Sequence, residues 1–294
     1  MSEISHITDW FQRKKIRKTG GKLLVLMIIV MLAAIFILPL VWLTSTSLKR
    51  GVDVYNLPPQ WIPRPTQWTN YITAMTSGSW GRYFSNSVII TGSALIGQIL
   101  SGSLAAFAFA RLYTRARDFL FIILLATLMI PSQVTLIPLY IFFRRLGWIN
   151  TFMPLIVPYW FGGNAFYIFL MRQYFLTIPL EMDDAARIDG CNIFQIYYKI
   201  ILPLSKPLLF AVAIFSFVAH WNAFLGPLIY LDDAEKWTVT LGLASFRQTF
   251  FGTTTIDVPV MMAASLMVAL PCLLIFLLCQ KIFIRGIVIT GVKG

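Results

Sequence analysis

Six stretches of this chain run for a membrane-spanning length without a single Asp, Glu, Lys or Arg: Leu23–Leu48, Ser87–Ala110, Phe119–Phe143, Asn150–Met171, Pro207–Leu231 and Val258–Gln280. A hydrocarbon core about 30 Å thick takes about 20 apolar residues per helix. Backbone groups left unpaired in lipid are too costly for any spanning structure other than helices or closed barrels. The six runs lack the period-two alternation of barrel strands. The expected fold is therefore all-α, a polytopic membrane protein with six transmembrane helices. Residues 1–22 are read as an N-terminal arm and 23–294 as a single transmembrane domain, with a polar loop at about 178–206 and a tail at 281–294. The composition agrees: 58% of residues are hydrophobic and 12% charged, about half the charged share of a soluble domain.

The net charge of +12 would raise nucleic acid as a partner in a soluble protein, but the basic residues fall between apolar runs, so orientation is the first reading and no nucleic acid is expected. The arm, the Arg111–Arg117 link, the Arg172–Lys206 segment and the tail hold about twice as many Lys and Arg as the remaining loops together, which places both termini in the cytoplasm. Arg13, Lys14, Lys15, Arg17, Lys18 and Lys22 lead into a run too long for a signal-peptide core, so the first helix is read as retained. Cys191, Cys272 and Cys279 have neither ligand spacing nor an even count; no disulfide and no metal site is expected.

The spans differ in character. Gly92, Gly97, Gly102, Ser93, Ser101 and Ser103 make the second one a helix others can approach closely. Pro131, Pro138, Pro154, Pro158, Pro227 and Pro271 interrupt later spans, and Gly162-Gly163-Asn164 breaks the fourth. Kinks suit a moving pathway and are also common in static bundles. Trp148, Trp160, Trp221 and Trp237 are candidates for interfacial anchors or for core packing.

The polar segment from Ile178 to Ile196 has the grammar of helix, glycine turn, helix. Pro179 with Glu181, Asp183 and Asp184 suits a first turn, because proline loses no hydrogen bond there and carboxylates favour the positive end of the dipole. A helix of about two turns starts near Leu180, Gly190 ends it, and a second begins near Ile193. Ala185 and Ala186, flanked by Asp184 and Arg187, leave a low-relief surface suited to a groove on another protein; a solvated charged loop is the alternative.

These residues resemble the hallmark loop of inner-membrane subunits of ATP-binding-cassette importers: Asp184-Ala185-Ala186, Gly190, then Ile200-Ile201-Leu202-Pro203. The longer form Ala185-Ala186-Arg187-Ile188-Asp189-Gly190, followed by Leu202-Pro203-Leu204 and Pro207, is similar to the carbohydrate-uptake branch. Met129-Ile130-Pro131 with Ile137-Pro138-Leu139-Tyr140, Trp221-Asn222-Ala223-Phe224 with Pro227-Leu228, and the ending Gly291-Val292-Lys293-Gly294 resemble the maltose-type second permease of a heterodimer. The resemblance implies a sugar importer of the cell membrane. Its partners would be a cytoplasmic ATPase dimer, a second permease subunit, an extracytoplasmic solute-binding protein and membrane lipid. The ATPase would seat the loop through Glu181, Asp183, Asp184, Ala185, Ala186, Arg187, Asp189 and Gly190, and the tail Gly291, Val292, Lys293 and Gly294 would reach the same interface. Asp184 stands where the family has Glu, one methylene longer, so Asp183 or Glu181 are alternatives for a salt bridge to the ATPase.

The sequence has no Gly-x-x-x-x-Gly-Lys-Ser/Thr loop, so ATP and Mg are expected on the partner, with no cofactor on this chain and no enzymatic activity of its own. Asn164, Tyr167, His220, Trp221 and Asn222 are the candidates for a substrate pathway; a single histidine such as His220 is more often a helix-interface hydrogen-bonder than a proton relay. Outward loops 49–86 and 232–257, with Lys236, Arg247 and Gly252–Thr255, are candidate contacts for the solute-binding protein. A proton- or sodium-coupled carrier is the alternative class, disfavoured because no carboxylate lies inside a span. Within importers, a permease for another solute such as polyamine is the alternative. An intramembrane enzyme lacks a base and nucleophile pair, since His220 is alone and His6 lies in the arm.

Overall fold

The computed structural model describes the backbone of residues 2–250 and 257–290, and side chains from 22 to 246 and 257 to 280. The described residues form helices and connecting turns, with no strand among them. In chain order the α-helices are α1 Ser2–Ser47, α2 Thr69–Thr76, α3 Trp80–Arg111, α4 Arg117–Thr127, α5 Ser132–Arg145, α6 Met153–Ile156, α7 Ala165–Leu176, α8 Leu180–Ile188, α9 Ile193–Ile196, α10 Leu202–Leu204, α11 Lys206–Trp221, α12 Leu225–Tyr230, α13 Val239–Phe250 and α14 Val258–Thr290.

Among the described residues, four helical segments are long and apolar enough to cross a membrane: Lys22–Ser47, Trp80–Arg111, Met153–Leu176 and Val258–Gln280. Two bent pairs bring the count to six when each is taken as one span. Arg117–Thr127 and Ser132–Arg145 meet at 98°, and Ile193–Leu204 and Lys206–Trp221 at 78°. The first bend sits at Pro131, whose ψ of 132° is extended; proline cannot donate to the preceding turn, so the helix restarts after it. The fifth apolar run divides as well. Its helix stops at Trp221, where the Asn222 side chain donates back to the Val218 carbonyl at 2.9 Å, and α12 follows as a separate short helix. The described part of the arm, residues 2–22, is continuous with the first span in one helix.

The chain divides into two units. The first comprises residues 1–74 and 257–266. There the loop after α1 folds back on that helix's end: Asn70 donates to the Ser47 and Lys49 carbonyls at 2.9 and 2.8 Å, the Gln67 N–H donates to Leu48 O, and Trp61 meets Trp42 edge-on at 5.2 Å. Lys49 is buried with its ammonium 4.2 Å from the Trp42 ring centre, a cation–π contact; burial pulls its pKa below the ordinary lysine value. Every apolar side chain from Leu23 to Leu38 is exposed on α1, a surface that hydrocarbon or protein must cover.

The second unit comprises residues 75–256 and 267–294, and α3 is its axis. α7, α11 and the 3₁₀ turn Val157–Phe161 pack on α3. Its core joins Ala106, Phe107 and Ala110 of α3 with Ile168, Met171 and Phe175 of α7, Ala186 of α8, Ile196, Tyr197 and Ile201, and Val212 of α11. The small residues serve the close approach the sequence implies. A Cβ on Gly97 would lie 2.5 Å from the Trp160 ring.

Candidate functional site

The segment 178–206 folds as helix, glycine turn, helix. α8 starts directly after Pro179, with Glu181 and Asp183 in its first turn. Gly190 adopts φ 83°, its N–H donates to Arg187 O at 3.0 Å, and the Cys191 N–H donates to Ala186 O at 2.8 Å. This pair of bonds is a Schellman closure, which satisfies the last carbonyls of α8 and needs a left-handed residue. α9 opens with a capping box: Asn192 Oδ1 accepts from the Gln195 N–H at 2.9 Å, and Gln195 Oε1 accepts from the Asn192 N–H at 2.7 Å. Both breaks in the loop are therefore built into its sequence.

α8 presents two faces. Asp183 and Ala186 point inward, 3% and 6% exposed. Glu181, Asp184, Ala185, Arg187 and Asp189 are exposed, together with Leu180, Met182 and Ile188 on the same helix and Phe194 on the next. Asp184 and Arg187 pair with each other at 3.4 Å, both more than half exposed, a contact worth little to stability that leaves both charges open to a partner. The alanine pair thus splits, with Ala186 buried against the core and Ala185 facing out. Of the three carboxylates considered for an outside partner, Glu181 and Asp184 face out and Asp183 faces in.

Asp183 Oδ2 lies 3.0 Å from Nε of Arg111, the last residue of α3, and both side chains are under 5% exposed. The Nε–H is not aimed at the carboxylate, and Asp183 Oδ1 has no hydrogen-bond partner, so the contact is an ion pair with incomplete hydrogen bonding. Arg111 Nη2 donates instead to the Ile178 carbonyl at 2.7 Å. Burial pushes the Asp183 carboxyl above the ordinary aspartate value, with Arg111 pulling the other way. Elsewhere on α3, the Tyr197 and Ser103 hydroxyls share a buried hydrogen bond at 2.7 Å. Sequence reading missed Arg111 as a partner of this loop, because it stands 72 positions before Asp183.

The candidates for a substrate pathway are distributed rather than clustered. Asn164 caps α7, accepting from the Phe166 N–H at 2.9 Å, and its own N–H donates to the buried Gln98 Oε1 at 2.8 Å. Tyr167 is buried in the core of the second unit. Trp221 is 2% exposed, stacks on Phe217 at 5.5 Å and donates from Nε1 to Val268 O at 2.9 Å; it anchors helices. Asn222 is exposed. His220 alone of the five lines a cavity of about 170 Å³, shared with Ser87, Thr91, Tyr159 and Thr238 among others, its ring edge-on to Tyr159 at 4.3 Å. The broken fourth span is clasped to α3: Ser101 Oγ donates to Tyr159 O at 2.9 Å and accepts from the Gly162 N–H at 3.1 Å.

The 230–240 segment is stitched to two elements of the same unit. Asn150, at φ 60°, donates to Asp233 Oδ2 at 2.6 Å and accepts from the Asp232 and Asp233 N–H groups. Asn86 of α3 donates to the carbonyls of Glu235 and Trp237, at 2.9 and 3.0 Å, and Arg82 pairs with Glu235. Lys236 is held by Asp233 at 3.0 Å. The hydrogen bond from Asn150, then Lys236, holds the Asp233 carboxyl below the ordinary value. The Arg247 side chain, Gly252–Thr255 and Gly291, Val292, Lys293 and Gly294 lie outside the described residues. Among the described residues no group of His, Cys, Asp and Glu is arranged to hold a metal ion.

Residues 98–288 match the family described as binding-protein-dependent transport system inner membrane component. The chain is 35% identical to the melibiose/raffinose/stachyose import permease protein MelC of Bacillus subtilis, covering 91% of this chain and 96% of that one. It is 34% identical to the arabinooligosaccharides transport system permease protein AraQ of Halalkalibacterium halodurans, over 90% and 93% of the two chains. It is 31% identical to the diacetylchitobiose uptake system permease protein NgcG of Streptomyces coelicolor, over 86% and 83%. Its fold is similar to a chain in the crystal structure of a bacterial ABC transporter involved in the import of the acidic polysaccharide alginate, with a TM-score of 0.77, 21% identity, and 88% and 95% of the two chains covered.

Proposed function

Given that this chain belongs to the family of binding-protein-dependent transport system inner membrane components, and so is a multi-pass membrane protein, we propose that it is one of two permease subunits of an ATP-driven importer for a sugar or oligosaccharide. Hydrolysis of ATP with Mg takes place on a separate cytoplasmic ATPase. The observation that carries this reading is the outward face of α8. Two exposed carboxylates, Glu181 and Asp184, the latter paired with Arg187, stand beside exposed Leu180, Ile188 and, on the next helix, Phe194, while the other face of α8 is sunk in the core. An apolar surface with open charges at its edge fits a groove on a protein partner.

In this reading the ATPase grips that face and moves it, Gly190 keeps the turn between the two loop helices, and both termini lie on the ATPase side. The exposed apolar surface of α1 meets lipid and the second permease. The sugar class rests on MelC, AraQ and NgcG, whose names specify sugar substrates, together with the Ala185–Gly190 and Trp221-Asn222 segments. The solute-binding protein meets the opposite side, where Asn86 and Asn150 hold the 230–240 segment.

The test is mild-detergent purification of the tagged protein from its native host, with mass spectrometry of what accompanies it. The expected result is an ATPase carrying a phosphate-binding loop and a second permease, with the ATPase lost on Asp184→Lys with Gly190→Val. Recovery of the chain alone, competent for transport without an ATPase, would overturn the reading in favour of an ion-coupled carrier.

A further inference from the structure

α3 is attached to other elements of its unit at three levels. At the start of the helix Asn86 and Arg82 hold the Glu235–Trp237 turn, and Ser87 Oγ accepts from the Val239 N–H at 2.9 Å. Near the middle Gln98 and Ser101 hold the broken fourth span. At the end Arg111 holds Asp183 and Ile178. With 32 residues the helix is about 48 Å long. It therefore joins the segment proposed to meet the ATPase to the segment on the opposite side.

We propose that Arg111 is a positioning residue for energy coupling: its buried ion pair with Asp183 and its bond to the Ile178 carbonyl fix α8 to the end of α3, so that a displacement of the docking helix is carried along α3.

The chemistry supports a directional role over a purely stabilising one. Taking two ions out of water costs several kcal/mol each, and a well-packed apolar pair often holds a fold as well or better. Here the pair is not even optimised, since Arg111 Nε and Asp183 Oδ1 lack hydrogen bonds. Apolar contacts between Ala186 and the core are non-directional and permit sliding. A guanidinium forked between a side-chain carboxylate on α8 and a backbone carbonyl just before it sets the angle of that helix. Only residues 177–179 connect α7 to α8, so one attachment of Arg111 holds that connector and the other holds α8 beyond it.

The inference rests on the proposed function, and its experiment has one arm that does not. In proteoliposomes holding the assembled complex with its solute-binding protein, solute moved per ATP hydrolysed is measured for Arg111→Gln, Asp183→Asn, the double variant and Arg111→Lys. Arg111→Gln and Asp183→Asn should each lower the ratio by about threefold or more. The double variant should be no worse than the poorer single one, because both remove the same tether. Arg111→Lys, which keeps the charge but loses the planar fork, should fall between wild type and Arg111→Gln. Fewer assembled complexes with an unchanged ratio in those that form would make the pair merely structural and overturn the proposal.

The second arm is amide hydrogen exchange on the full chain alone in detergent. Arg111→Gln should raise exchange about tenfold at residues 183–191, leaving 162–164 unchanged, and unchanged exchange at 183–191 overturns the tether. If the wild-type complex moves no solute with ATP, the function assigned above fails, while this arm still decides the attachment.

Discussion

Two glycines with positive φ should separate under one substitution, because the space around them differs. Gly190 ends α8 at φ 83° with nothing within 4 Å of where a Cβ would sit, whereas at Gly163, φ 51°, a Cβ would run into Gln98 Oε1. For Gly190→Ala the loss is the left-handed backbone alone, about 1–2 kcal/mol. Gly190→Asn should cost less, since asparagine tolerates that region. Gly163→Ala carries the same backbone cost and also displaces the Gln98 amide. That amide is fully buried, and its Oε1 accepts from the Asn164 N–H at 2.8 Å. An orphaned buried group adds about 1–3 kcal/mol, for a total of roughly 2–5 kcal/mol. The assay is thermal unfolding in detergent, followed by tryptophan fluorescence at one fixed scan rate, because membrane proteins seldom unfold reversibly. The expected order of stability is wild type, Gly190→Asn, Gly190→Ala, then Gly163→Ala well below. Equal losses at both sites, or a milder effect at Gly163, would refute the reasoning.

Asp183 gives a pH signature. Burial lifts its carboxyl above the ordinary aspartate value, so the native state binds that proton more tightly than the unfolded chain, and its contribution to stability falls as pH rises from the ordinary value through the raised one. Unfolding midpoints across that window should lose this slope in Asp183→Asn; a slope of opposite sign would contradict the assignment. Asp233, whose carboxyl is lowered by Asn150 and Lys236, should behave in reverse, its contribution disappearing as pH falls. Asn150→Ala removes a side chain that satisfies the Asp232 and Asp233 N–H groups and puts alanine at φ 60°; amide exchange at those two residues should rise about tenfold. Trp221→Phe loses the bond to Val268 O, which should cost about 1 kcal/mol in thermal stability and leave the KM for transported solute unchanged, because the indole packs between helices.

The spans were legible because uncharged length is a direct consequence of the bilayer. The polar loop at 178–206 was legible because each turn of it is local: Pro179 opens α8, Gly190 closes it, and the cap at Asn192 is completed three residues later. Sequence also indicated that Pro131 interrupts a helix, but not the 98° bend, which depends on what α5 packs against. The faces of α8 escaped local reading. Ala185 and Ala186 look equivalent in the chain, and Asp183 looks as free as Asp184, until α3 is folded beside them. Trp221 read equally as a pathway residue and as a packing residue for the same reason, its carbonyl partner lying 47 positions away. The Arg111–Asp183 pair depends on the same long-range packing.

The most direct test of the account is uptake of labelled oligosaccharides by proteoliposomes containing this chain, the second permease and the ATPase, with solute-binding protein outside and ATP inside. The account predicts accumulation that requires ATP and the binding protein and is abolished by Asp184→Lys with Gly190→Val. Accumulation driven by a proton or sodium gradient, in vesicles without ATP, would contradict it.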